Sequence, residues 1–324
     1  MKEKLLEVNE LKTWFFVSDG IIKAVNGVSF DIKKGEVLGL VGESGCGKSV
    51  TALSIMRLIP DPPGKIVDGK ILLDDIDLLK LREEEMRNIR GRSIAMSFQD
   101  PMTYLNPVQR VGDQIAEAII IHQSLKKREA FKKAIELMEL VKIQDAFKRA
   151  KDYPHQLSGG MRQRILLAMA ISCKPDLLIA DEPTTALDVI VQADILDLLR
   201  DLKKELNLSL ILITHNMGVV SRLADRIAIM YAGKIMELGN IRTILKNPKN
   251  PYTIGLLESL PKIEEEQEEL ISIRGEVPDM INPPSGCPFN PRCPYAISLC
   301  KEKAPLLKEY REDHLVSCIR VDEL

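Results

Sequence analysis

Residues 42–49 read GESGCGKS and follow directly on the apolar run VLGLV at 37–41. No other stretch leaves so few folds open. It fits G-x-x-x-x-G-K-[ST], a loop that needs a buried strand before it and a helix after it. Small residues let the backbone curl until successive N–H groups face an anion, and the following helix turns its positive end to the same point. Gly42, Ser44, Gly45, Cys46, Gly47 and Val50 are read as the wall of this cradle, with Cys46 present because it is small, not because it reacts. Lys48 is placed to reach the β- and γ-phosphates of a nucleotide, and the Ser49 hydroxyl to take a position on Mg²⁺.

The surrounding pattern is that of an α/β protein. The first ~95 residues alternate in the manner of strands, as in LLEVNELKTWFFV and IKAVNGVSFDI. From about residue 108 to 150 the periodicity is helical. DLLIADEP, LSLILITH and RIAIMYAGKIMELG are three further apolar strand candidates, separated by helical segments such as VQADILDLLRDLKKEL. Strands alternating with helices predict a mainly parallel sheet. After about residue 247 the texture changes to proline, a glutamate run at 264–269 that reads as a solvated linker or exposed helix, and a Pro/Cys-rich tail.

A second half-site lies further on. LLIADEP sets Asp181 and Glu182 at the end of an apolar strand. Asp181 is placed to hold Mg²⁺ through water and Glu182 to orient the attacking water, because phosphoryl transfer demands positioning and charge stabilisation. LSGGMRQR at 157–164 adds a Ser-Gly-Gly turn opening a helix, a second anion-binding device.

With these motifs in this order, residues ~5–260 resemble the ATP-binding subunit of an ATP-binding cassette transporter. The resemblance implies a P-loop cassette of RecA-like core, antiparallel β subdomain and helical subdomain at about 100–165, occupying residues 1–250. A small Cys-rich extension would follow at 251–324. It implies that residues 42–49 are the Walker A loop and that Gln99 in SFQDP is the Q-loop glutamine, which senses Mg²⁺ and water. Ser158, Gly159 and Gly160 would be the signature that reaches the γ-phosphate held by a partner copy. Asp188 would be the D-loop residue and His215 the switch histidine. Phe15 in TWFF would stack on adenine.

VGESGCGKS, FQDPMTYLNP, YPHQLSGGMRQR and NPKNPYTIGLLESLP are similar to the dipeptide/oligopeptide (and nickel) importer branch. That likeness implies two transmembrane permease subunits, a second ATPase subunit that is identical or homologous, and, indirectly, an extracytoplasmic peptide-binding protein. Its place would be peripheral, on the cytoplasmic face of the membrane. The chain's own features fit: no apolar run approaches the roughly 20 residues that span a bilayer, and MKEKLLEVNE lacks a signal peptide's apolar core. A different class, a soluble cassette ATPase acting on nucleic acid or ribosomes, would favour tandem cassettes or a basic surface. The formal net charge here is −2, and no nucleic-acid partner is expected.

Four of the six cysteines, Cys287, Cys293, Cys300 and Cys318, fall in the tail as C-x5-C-x6-C-x17-C. In the cytosol such a group points to metal or redox chemistry. The C-x2–4-C knuckles usual for zinc are absent, and looser spacing with prolines suits a bulkier [4Fe–4S] cluster, with Zn²⁺ or free thiols as the alternatives. Some members of the importer branch carry an iron–sulfur cluster in a tail that this one resembles. A tail this short has little core, so a metal would serve it as a staple. A redox module with secondary ATPase activity is a third reading, supported by those four residues alone.

Overall fold

The long alternating runs at the N-terminus become β1 (Lys4–Val17) and β2 (Gly20–Lys33), each with one face turned inward. The continuous run VLGLV becomes β3 (Val37–Val41), buried at every position, as expected of a strand covered on both faces. A glycine loop leads from it into the helix Lys48–Ile55. Next come β4 (Gly64–Leu73), β5 (Ile76–Asp77) and β6 (Ile94–Ser97). β7 (Leu177–Asp181) and β8 (Ser209–Thr214) are buried throughout. β9 (Arg226–Tyr231), β10 (Lys234–Asn240), β11 (Lys308–Arg311) and β12 (His314–Val316) complete the strands. The computed structural model describes residues 3–259 and 273–324; the glutamate run at 264–269 lies outside them.

The described chain divides into two compact units. The first holds residues 6–32, 38–79 and the described part of 214–324. In it β1, β2, β4 and β5 form a sheet in the order β2-β1-β4-β5, with β1–β4 and β4–β5 antiparallel. β3 pairs in parallel with β9, from Leu38 opposite Arg226 to Val41 opposite Ile229. RIAIMYAGKIMELG, expected as a single strand, is the antiparallel hairpin β9–β10. It turns at Ala232 and Gly233, whose φ values are 45° and 73°. Alanine is a weak turn signal, and apolar residues on both arms hid the break.

The C-terminal segment extends this unit's sheet. β12 pairs antiparallel with β10, and β11 with β12. Glu237 on β10 is fully buried and meets His314 on β12, Oε1 to Nε2 at 2.7 Å. The same carboxylate accepts the N–H groups of Lys249 and Asn250 at 2.8 and 3.1 Å, so both of its oxygens have partners. Asn250 Nδ2 donates to Met236 O and Ser317 O, at 3.1 and 2.8 Å. Removing one member of such a buried set would cost roughly 1–3 kcal/mol, because a buried hydrogen-bonding partner would be left unsatisfied.

The second unit is built chiefly from residues 33–37 and 80–213. β6, β7 and β8 pair in parallel. The helices Val111–Gln123 and Lys127–Leu140 follow the helical periodicity of the sequence, and Gly159–Ile171 is the helix that the Ser-Gly-Gly turn opens. The helix Val189–Leu206 buries Ile195, Leu198, Leu199 and Leu202, the apolar stripe of a helix packed on one side.

Candidate functional site

The glycine loop of the first unit has the geometry its sequence demands. A Cβ at Gly42 would lie 2.1 Å from Met230 O, and one at Gly47 2.3 Å from Ala24 O, with φ at Gly47 of 105°. Both positions require glycine. Gly42, Cys46, Gly47 and Lys48 are buried, Ser49 and Val50 half-buried, and Ser44 and Gly45 exposed. Gly47 caps the helix Lys48–Ile55 without a side-chain hydrogen bond, the arrangement in which first-turn amides serve an anion. Lys48 Nζ donates to Gly42 O at 2.9 Å and Glu43 O at 3.0 Å, folding the ammonium over the loop. Cys46 is wholly buried, and burial pushes its thiol pKa up, in keeping with a space-filling role.

In the second unit β7 delivers Asp181, 4% exposed, and then Glu182. Glu182 has φ of 45°, a conformation costing a non-glycine residue roughly 1–2 kcal/mol. Its N–H donates to Ile213 O at 2.9 Å, which fixes the turn. Glu182 Oε2 accepts from Gln99 Nε2 at 3.0 Å and from Thr185 Oγ1 at 2.8 Å. Gln99, expected to face Mg²⁺ and water, is thus held on the carboxylate. Thr185 was missed in the sequence, where it is simply one of two threonines after ADEP. The result is a carboxylate at a strand end, oriented by two donors, which can align a water or accept its proton.

Ser158 caps the helix Gly159–Ile171, its hydroxyl accepting from Met161 N–H at 3.3 Å. A Cβ on Gly160 would come within 2.7 Å of Val191 Cγ1, so this turn packs tightly on the helix that Asp188 caps. Asp188 accepts from Val191 N–H at 2.9 Å and is exposed. In this chain the side chains of Ser158 and Asp188 therefore serve their own helices. His215 is exposed, directly after β8. Phe15 is half-buried on β1 opposite Gly64, where a Cβ would lie 2.8 Å from its ring. Its neighbour Trp14 lies under Lys23 Nζ, 5.2 Å from the ring centroid, and Phe16 is 48% exposed.

Cys287, Cys293, Cys300 and Cys318 line a single small pocket of about 20 Å³. Burial raises the pKa of Cys287 to about 11 and pushes those of Cys293 and Cys318 up as well. Among the described residues no three His, Cys, Asp or Glu side chains converge closely enough to hold a metal ion. The thiols share a space without meeting at a point.

The profile of the ABC transporter family matches residues 25–185, and that of the oligopeptide/dipeptide transporter C-terminal region matches 236–300. Strand, glycine loop, helix and carboxylate strand end are the working parts of a P-loop ATPase cassette. The dipeptide transport ATP-binding protein DppD of Bacillus subtilis (strain 168) is 50% identical over 321 residues, covering 99% of this chain and 96% of that protein. The oligopeptide transport ATP-binding protein OppD of Salmonella typhimurium is 47% identical over 321 residues, 99% and 95% of the two chains. An ATP-binding cassette solved as a dimer after hydrolysis, with ADP and Pi, matches with a TM-score of 0.66 at 27% identity, over 74% of this chain and 99% of that one. The chain belongs to the ABC transporter family.

Proposed function

We propose that this chain is the ATP-hydrolysing, energy-coupling subunit of an importer for dipeptides or oligopeptides. The observation that carries the reading is similarity along the whole length, tail included, to proteins named for dipeptide and oligopeptide transport. The loop amides and Lys48 bind the phosphates, and Phe15 stacks on the adenine. Mg²⁺ prefers oxygen donors, and Ser49, Asp181 and Gln99 supply them. Glu182 aligns the attacking water, with Gln99 and Thr185 fixing its carboxylate and His215 attending the γ-phosphate. Ser158, Gly159, Gly160 and Asp188 act on nucleotide held by a second cassette.

Among the described residues no helix is long and apolar enough to cross a membrane. Two permease subunits would carry the peptide through the bilayer. The Q-loop segment is suited to contact them, since Met102, Tyr104 and Val108 are 46%, 47% and 82% exposed. The chain would sit on the cytoplasmic face and receive peptide indirectly from an extracytoplasmic binding protein.

We further assign the four cysteines to a [4Fe–4S] cluster. The four thiols border one small pocket, and their loose spacing with adjacent prolines suits a bulkier group than the C-x2–4-C knuckles of zinc sites do. When bound, the cluster cross-links the tail and adds its binding free energy to folding. Protein isolated from membranes should bring two multi-span permeases, and peptide should raise ATP turnover in the reconstituted complex; no permease and no response to peptide would reject the cargo. Anaerobic protein should be brown with about four irons per chain; a colourless protein with one zinc would replace the cluster assignment.

A further inference from the structure

Glu43 is the second residue of the phosphate loop, and the C-terminal segment grips its carboxylate. Arg292 Nη1 donates to Glu43 Oε2 at 2.6 Å and Nη2 to Glu43 Oε1 at 3.0 Å, a two-pronged ion pair. The guanidinium also donates from Nε to Arg274 O at 3.0 Å, from Nη2 to Ile273 O at 3.3 Å and from Nη1 to Tyr231 Oη at 3.3 Å. The arginine side chain is 6% exposed and the glutamate's 27%. On the backbone side, Glu43 N–H donates to Tyr252 Oη at 3.0 Å. Tyr252 packs with Tyr231 and Phe289, ring centroids 4.6 to 5.3 Å apart.

The loop's other fastenings lie towards its far end. Cys46 O accepts from Gly233 N–H at 2.9 Å, and Lys48 begins the helix. Ser44 and Gly45, between these fastenings and Glu43, are exposed. Glu43 is the anchor on the near side of that exposed arc, and its carbonyl is one of the two that seat Lys48.

We propose that Arg292 is a positioning residue for nucleotide binding: by clamping Glu43 it holds the curl of the phosphate loop and the carbonyl that seats Lys48. The inference rests on the nucleotide reading of this loop. The test uses the full chain with Arg292→Ala, Arg292→Lys, Glu43→Gln, the double Arg292→Ala/Glu43→Gln, and Lys48→Ala as reference. Equilibrium ATP binding, KM, kcat and thermal midpoint are measured for each.

Arg292→Ala should weaken ATP binding and raise KM about tenfold while kcat at saturation stays within about twofold. Arg292→Lys should recover part of the affinity, since it restores the charge with a single prong. Adding Glu43→Gln to Arg292→Ala should weaken binding little beyond either single change, because the clamp is already gone. A folded Arg292→Ala protein that binds ATP like wild type, or strictly additive effects in the double variant, would overturn the proposal. If Arg292→Ala does not fold, Arg292→Lys, Glu43→Gln and their combination give the same non-additivity test. Wild-type binding that survives Lys48→Ala would instead bring down the nucleotide reading, and the proposal with it.

Discussion

In the phosphate loop the groups offered to a ligand are backbone amides and one ammonium, none of which must lose a proton to bind an anion. In the cysteine pocket they are thiols, three of which burial pushes up: Cys293, Cys318 and Cys287, the last to about 11. Both lie in one compact unit, joined by the short turn that carries Arg292 and Cys293 side by side. The difference teaches what each site asks of the chain. The loop needs only to be held in shape. The pocket must lose protons before it can ligate a metal, so the proposed cluster would do part of the folding.

The widest effect should come from Glu182→Gln, which tests whether binding belongs to the loop alone. Hydrolysis should fall by on the order of 10²–10⁴ while equilibrium ATP binding persists. Retained turnover would remove Glu182 from its role. Lys48→Ala comes next, with an affinity loss of roughly 10- to 100-fold, as expected for charge-assisted bonds to phosphate. Unchanged affinity would break the comparison at its first term.

On the other side, under the proposed cluster, its removal by a chelator or by Cys287→Ser should speed proteolysis of residues 273–324 roughly tenfold or more, since the staple would be lost. Equal cleavage with and without metal would show that the tail stands on its hydrogen bonds alone. The smallest effect is expected of Thr185→Val, which deletes one of two donors to Glu182 Oε2. It should lower kcat about three- to tenfold and leave ATP affinity unchanged, a loss near 1 kcal/mol.

The glycine loop was legible in the sequence because its conformation is dictated locally: Gly42 and Gly47 are needed for space and φ, and VLGLV announces a strand covered on both faces. The strand-end carboxylates were legible for the same reason. Local pattern could not show that Gln99 is held on Glu182, 83 residues away, because hydrogen-bond partners are chosen by the fold. The hairpin at Ala232–Gly233 was hidden behind apolar residues on both arms. The cysteine spacing suggested a shared ligand but not that the thiols would surround a cavity instead of converging. Least legible was Glu43, which in GESG reads as an ordinary loop acid.

The clamp on Glu43 also has a meaning in the order of synthesis. Arg292 follows Glu43 by 249 residues, so the phosphate loop leaves the ribosome long before the side chain that fastens it exists. A nascent or broken chain that stops short of residue 292 carries the whole of GESGCGKS and the helix behind it, yet leaves Glu43 without its partner. Under the proposed clamp, tight nucleotide binding is a property of chains completed past this point.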